Sequence, residues 1–389
     1  MVRTRAALIL LGLIATFLSP ITASAVIANP TPDCSAGSTC TITFSTTGDY
    51  YQWTVPSGIT SLTMDVIGAS GGTGGATAAG KGARMTGVLT VTSGSVIKIY
   101  VGQQGTSGTG GQGGGGGGGS FVVASNNSAL IVAGGGGGGA GSCCGTPGIG
   151  QDATTSTSGT AGNNPGGTSG AGGTSGGGGG STSFQSSGGG GGFVSDGVDG
   201  AIVGNRGRSF PNGLAGGSGT FSGGYGGGGG SRFGAGGGGG GYSGGGASGG
   251  GDSWGAGGGG GSYSIATSQS NTSGFRTGNG QVLVTYLNSP IVTTVSLSLA
   301  GGITQVPKGR NIVITATVDQ AGRISFFADG KRIPRCYNKA VSGSTKTCTW
   351  KPSIQKQVTL TSRLNPTNIA YSNATTSMKV WVVRRTGTR

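Results

Sequence analysis

The sequence contains no histidine and no glutamate, and all nine of its acidic residues are aspartates. Aromatic residues make up 6% and charged residues 8% of its 389 positions. Without imidazole there is no Ser-His-Asp or Cys-His nucleophile system, no histidine metal site and no histidine proton relay. Without glutamate, paired-carboxylate chemistry falls to a few scattered aspartates. Past the first 25 residues, no run is long and apolar enough to cross a bilayer as a helix. Together these deficits point away from an enzyme, and no cofactor is expected.

Glycine is abundant, at 96 residues, and it is concentrated. Residues 102–261 hold 73 glycines, whereas residues 290–389 hold seven. No strict third-residue period runs through them, which excludes a collagen triple helix. Charge divides at the same place. Residues 26–289 carry seven basic and seven acidic side chains, and residues 290–389 carry fifteen basic and two acidic. Two different materials are joined in one chain.

The N-terminus reads as a secretory signal peptide over residues 1–25. Met1–Arg5 is basic, Ala6 to Leu18 is an apolar run, and Ala23-Ser24-Ala25 offers small residues for cleavage. Six cysteines follow, an even number that suits an oxidising compartment. Spacing suggests local pairs: Cys34 with Cys40 around a small loop, and Cys336 with Cys348 around a polar stretch of hairpin-like length. Cys143 and Cys144 are adjacent and either form a strained vicinal bridge, stay reduced or pair elsewhere. Four cysteines at zinc spacing are absent.

Residues 26–289 read as a β frame, over 41–135 and 281–287, interrupted by a glycine-rich insertion lying mainly in 102–261. Ile42 and Phe44, Leu62, Met64 and Val66, and Ile97, Ile99 and Val101 alternate with polar residues, the pattern of half-buried strands. Phe121-Val122-Val123 and Leu130-Ile131-Val132 flank Asn126-Asn127 as a hairpin, and Val282, Val284 and Tyr286 supply a closing strand. Strands on either side of the insertion are expected to share one sheet system. Seven runs of five or more glycines lie at 113–119, 134–139, 176–180, 188–192, 226–230, 236–241 and 257–261. A disordered linker is one reading of them. The other is a bundle of polyglycine II rods, three residues per turn, bonded N–H to C=O between rods because none forms within a rod. Recurrent runs near one length, five to seven residues, favour the bundle. Phe184, Phe193, Tyr225, Phe233, Tyr242 and Trp254 stand singly between the runs, where rod ends would display them.

Residues 290–389 read as a second β domain, with strands near 295–299, 312–318, 323–328, 358–364 and 378–383, the spacing of a β-sandwich. Its basic residues include Lys331, Arg332 and Arg335 beside Cys336, and Arg384, Arg385 and Arg389 at the tail. They are candidate contacts to acidic envelope polymers. Few aromatics accompany them, so specific nucleic-acid binding is not expected. No glycine run is followed by Lys-Ser or Lys-Thr, which excludes a P-loop. Asp196 and Asp199 are close enough in sequence to raise calcium as a possibility, against the plainer reading of turn residues.

Several ordered blocks carry a family resemblance: Tyr51-Gln52-Trp53-Thr54-Val55-Pro56, Met64-Asp65-Val66-Ile67-Gly68-Ala69, Tyr100-Val101-Gly102-Gln103, Gly119-Ser120-Phe121-Val122-Val123, Ile131-Val132-Ala133-Gly134 and Gly280-Gln281-Val282-Leu283-Val284. This series resembles the glycine-rich domain of the anaplastic lymphoma kinase and leukocyte tyrosine kinase receptors, relatives of which occur in bacterial secreted proteins. The resemblance implies an all-β fold: a TNF-like β-sandwich with a polyglycine II bundle as insertion. No receptor ligand contact can be placed on this sequence. Residues 290–389 resemble bacterial Ig-like domains on Gly322-Arg323-Ile324-Ser325-Phe326-Phe327-Ala328-Asp329-Gly330 and Cys348-Thr349-Trp350-Lys351-Pro352. This second resemblance implies a C-terminal Ig-like β-sandwich whose cysteine pair, close in sequence, differs from the inter-sheet bridge of antibody domains. The expected role is an exported, non-enzymatic surface or matrix protein, adhesive, ligand-recognising or structural, whose protein or glycan ligand is unidentified. The alternative is a binder of planar surfaces, ice or crystalline polysaccharide, built on the polyglycine bundle.

Overall fold

The computed structural model describes residues 26–34, 39–75, 77–142, 146–182, 186–249, 254–288, 292–367 and 371–384. The expected signal peptide over residues 1–25, Cys143, Cys144, Phe184, Arg385 and Arg389 lie outside the described residues.

The chain is all-β. Among the described residues ten strands belong to the glycine-rich body: β1 (Thr39–Phe44), β2 (Tyr50–Thr54), β3 (Ser61–Ile67), β4 (Gly82–Thr90), β5 (Val96–Tyr100), β6 (Ser120–Ala124), β7 (Ala129–Ala133), β8 (Tyr263–Ser264), β9 (Thr272–Arg276) and β10 (Gln281–Leu287). They form two five-stranded antiparallel sheets, β1-β10-β3-β4-β9 and β2-β5-β6-β7-β8. As the alternation requires, β10 returns from beyond the insertion to lie between β1 and β3. The sheets face each other across one core, in which Ile42, Phe44, Met64, Val66 and Val284 of the first meet Tyr51, Trp53, Ile99, Val122 and Ile131 of the second.

The second sheet is buried on both faces at β6 and the end of β7. Phe121, Val123 and Val132 point away from the main core into another cluster, closed by Leu214, Phe193, Phe210, Tyr225, Tyr242 and Tyr263. Double burial explains why β6 reads as an unbroken apolar run rather than an alternation. It also corrects the placement of three single aromatics. Phe193, Tyr225 and Tyr242 are not displayed at rod ends. They stack against the sheet, with Phe193 4.9 Å from Phe210 and Tyr242 4.6 Å from Tyr263, ring to ring.

The glycine runs are packed rods, and their bonding shows the threefold helix directly. Gly113, Gly116 and Gly119 donate to the carbonyls of Phe233, Gly229 and Gly226. Gly114 and Gly117 donate to Gly139 and Gly136, and Gly115 and Gly118 to Thr106 and Gln103. Every third residue therefore returns to the same neighbour. The carbonyls of this run accept from three further segments: Ala69 and Gly72, Gly224, and Gly237 and Gly240. One rod thus sits among six. The run 134–139 is surrounded in the same way: it donates toward 237–240, 69–72 and Gln151, and accepts from 80–83, 114–117 and 257–260. Such spacing leaves no room for a side chain: a Cβ on Gly116 would fall 2.0 Å from the Gly238 carbonyl oxygen. Glycine loses the most backbone freedom on ordering, and here the loss is offset by near-complete backbone pairing in a dry interior.

Serines close the rods. Ser120 follows the first run; its Oγ donates to the Ile67 carbonyl (2.6 Å) and accepts from Gly102 N–H (3.0 Å). Ser262, after the last run, donates to Thr154 and accepts from Gly134. The run 113–119 leads into β6 and 134–139 leads out of β7, so one end of the bundle is fixed to the sandwich. The other, distal end carries the Gly110–Gln112 turn, Ser142, Phe233 and Trp254.

The remaining strands are β11 (Val295–Leu299), β12 (Gln305–Pro307), β13 (Ile312–Val318), β14 (Gly322–Ala328), β15 (Lys331–Arg332), β16 (Lys339–Val341), β17 (Thr345–Trp350), β18 (Gln357–Pro366) and β19 (Ala374–Val383). The sheet β11-β13-β17 packs on the sheet β12-β19-β18-β14-β15, with β16 also on β14, around Ile314, Phe326, Leu360, Leu364 and Val380. The stretch between Cys336 and Cys348 is not a hairpin: β16 joins β14 in one sheet and β17 joins β13 in the other. The Cys336–Cys348 disulfide is accordingly inter-sheet despite a separation of 12 residues, since Cys336 accepts from Phe326 N–H on β14 and Cys348 lies on β17. Cys34 and Cys40 are also bonded.

Candidate functional site

A concentration of unbalanced charge sits at one end of the C-terminal sandwich. The β14–β15 turn, held by Asp329 and Gly330 at positive φ (47° and 75°), projects Lys331 and Arg332. Opposite, the chain leaving β17 runs through Lys351-Pro352-Ser353-Ile354 to Lys356 before entering β18. Between the two segments lies a groove of about 450 Å³, lined on its apolar side by Trp350, Ile354 and Pro334. Four cations, Lys331, Arg332, Lys351 and Lys356, face one carboxylate, Asp329. Lys356 Nζ reaches Asp329 Oδ2 at 2.7 Å. That bond, with the Thr359 N–H, holds the Asp329 carboxyl below its ordinary pKa. Lys331 acts on the same carboxylate through space, and among the described residues the groove keeps an excess of three positive charges. Arg332 also lies over the Tyr337 ring at 3.8 Å, which fixes the direction of its guanidinium.

Of the basic residues singled out by sequence, Lys331 and Arg332 line this groove. Arg335 is exposed one residue before Cys336, with φ of 65°, and is not part of the lining. Arg384 is exposed just past β19, whose end bonds the same rim: Val382 N–H donates to Lys356 and Lys308 N–H to Val383. Lys351 and Lys356 were missed. Their signal was the Lys-Pro-Ser-Ile-Gln-Lys segment after Trp350, which pairing of β14 with β18 brings across from Lys331.

The Asp196 and Asp199 carboxylates are occupied by donors of their own loop. Asp196 accepts from Ser209 N–H and Oγ–H, Asn212 and Arg208; Asp199 accepts from Gly204 and Arg206 N–H and pairs with the Arg206 guanidinium. Burial alone would raise the Asp196 pKa, but these donors together pull it well below the carboxylate range. The pair is a loop lock, neither a solvated turn nor an open cation cradle. Among the described residues no three His, Cys, Asp or Glu side chains cluster as a metal site, and no helix is long and apolar enough to cross a membrane.

No protein-family model matches the sequence, and no curated protein is similar to it.

Proposed function

We propose that this chain is an exported surface or matrix protein that acts by binding rather than catalysis. The glycine-rich body is its rigid presenting element, and the C-terminal sandwich holds acidic envelope polymer. The cationic groove carries this reading, because an excess of three positive charges beside an apolar floor suits a repeating anionic chain whose charges are spaced by short carbon units. Disulfides in the C-terminal sandwich and near β1 suit an oxidising exterior. Retention of the protein on immobilised polyglycerol phosphate is expected to fall steeply with salt. The triple variant Lys331→Ala, Lys351→Ala, Lys356→Ala is expected to elute far earlier than the parent. Salt-independent retention, or an unchanged triple variant, would refute the proposal.

A planar-surface binder is the second reading, and a particular array favours it in a new place. The longest glycine runs are interior, so rods do not present the surface. On β11-β13-β17, however, Ser296–Thr317–Thr345 and Ser298–Thr315–Thr347 form two outward rows in register. Strand spacing of about 4.8 Å and a same-face repeat of about 6.7 Å make this a regular hydroxyl grid. Under this reading Thr317→Lys abolishes adsorption to ice or to crystalline polysaccharide; unchanged adsorption rules the grid out.

A further inference from the structure

The distal end of the bundle holds a second cleft, chemically unlike the first. It measures about 520 Å³ and is lined by Gly110, Gly111, Gln112, Ser142, Phe233, Gly234 and Trp254. Its volume lies in the range of small-molecule sites.

Two aromatic rings frame it. Phe233 is 44% exposed, and its ring centre lies 6.5 Å from that of Trp254 at a tilt of 40°. Each ring is held from outside. The Arg232 guanidinium covers the Phe233 ring at 4.8 Å and donates to the Ala201 carbonyl. The Trp254 indole lies flat on the Gly234 backbone, where a Cβ would collide with the ring. Phe233 itself has φ of 46°, a conformation a bulky residue adopts only when its surroundings compel it. The platform is therefore preorganised.

Polar capacity at the cleft is unfilled. Gln112 Oε1 and Trp254 Nε1 both belong to lining residues, and both are buried without a hydrogen-bond partner among the described residues. One is an acceptor and the other a donor. Unpartnered buried groups each cost on the order of 1–3 kcal/mol, so two at one cleft call for an occupant. Among the described lining residues there is no lysine or carboxylate, and the neighbouring Arg232 lays its guanidinium over Phe233 and donates one N–H to Ala201, its Nε staying unpartnered.

A ligand that fits must be neutral, must carry both donors and acceptors, and must have an apolar face for the rings. We propose that the distal cleft binds a neutral pyranose unit of a glycan, its C–H face on Phe233 and Trp254 and its hydroxyls serving Gln112 and the indole N–H. This deepens the reading of the chain as a binding protein and rests on it. It assigns the two ends different partners: uncharged sugar at the bundle tip, anionic polymer at the C-terminal groove.

The test is calorimetric titration of the full chain with maltotetraose, cellotetraose, chitotetraose and mannotetraose. At least one is expected to bind saturably and with little salt dependence. Phe233→Ala, which removes an exposed ring, is expected to weaken binding about tenfold, the loss of one aromatic contact. Gly234→Ala, which displaces the indole, is expected to do the same with the C-terminal groove intact. The triple groove variant is expected to bind the sugar as the parent does. Binding of none of the four sugars, or binding equally tight in Phe233→Ala, overturns the assignment. Retention on polyglycerol phosphate is read separately, so failure of the tip leaves the groove proposal standing or falling on its own result.

Discussion

The glycine-rich bundle and the C-terminal sandwich both exclude water, but they bury different atoms. In the sandwich, Phe326, Leu360 and Leu364 fill the space between two sheets, and burial of apolar side chains is the main driving term. In the bundle, the interior of 113–119, 134–139 and 236–241 is backbone, and each rod is held by N–H to C=O bonds to its neighbours. The two interiors therefore fail in opposite ways. A sandwich is damaged by removing atoms from its core, and a rod bundle by adding them.

The largest expected effect tests that opposition directly. Gly116→Ala adds one methyl group where the Gly238 carbonyl oxygen already stands, against rigid backbone with no rotamer to yield. We expect a loss of about 3 kcal/mol or more, at the top of the overpacking range, seen as a collapse of the body's thermal transition. The same change at Gly343 in the C-terminal sandwich meets nothing within 4 Å and no positive φ. There it should be neutral or stabilise by about 0.4–1 kcal/mol through the unfolded chain. Equal effects at the two sites would break the distinction.

The strands of both regions were legible because alternation is a side-chain code. Leu62, Met64 and Val66 announce a face, and so do Ile312 and Ile314. The rods were legible only as runs. Identical glycines carry no information about which rod lies beside which, so the six-neighbour arrangement around 113–119 could not be read. Its endpoints were more explicit than they looked: Ser120, Ser231 and Ser262 each follow a glycine run directly, and each supplies a hydroxyl to a rod end. The double burial of β6 was hidden because its covering residues, Phe193, Leu214 and Tyr242, lie far along the chain. The groove was half legible for the same reason. Lys331 and Arg332 are neighbours in sequence, whereas Lys351 and Lys356 arrive through strand pairing.

The next effect in size removes atoms instead. Leu360→Ala in the C-terminal core should cost about 2–5 kcal/mol, and loss of the Cys336–Cys348 bridge, which ties the two sheets, in a Cys336→Ala, Cys348→Ala variant that keeps Cys34–Cys40, about 2–4 kcal/mol. Calorimetry should show both losses in the sandwich transition, with the bundle transition unmoved. A matching drop in the bundle would mean that the two interiors share one cooperative unit.

The smallest effect separates the regions by alkali. Tyr100 packs beneath the bundle, 5.4 Å from Phe210 and 5.1 Å from Tyr50. Burial, then the nearby Tyr50 and Asp49, push its phenol up to about 12 from an ordinary 10. Burial raises Tyr225 in the same cluster as well. The folded pKa is raised, so the neutral ring's contribution is complete below pH 10. It is lost as pH climbs through the folded value, because the unfolded chain ionises first. The buried C-terminal core cluster contains no tyrosine, and its two large aromatics, Phe326 and Trp350, have no proton to lose in this range. Between pH 10 and 12 the body should therefore lose stability ahead of the sandwich, and Tyr100→Phe should flatten its profile. A Tyr100→Phe profile that falls as steeply as the parent's would place the alkaline weakness elsewhere. That result would separate the aromatic cluster beneath the rods from the stability of the rods themselves.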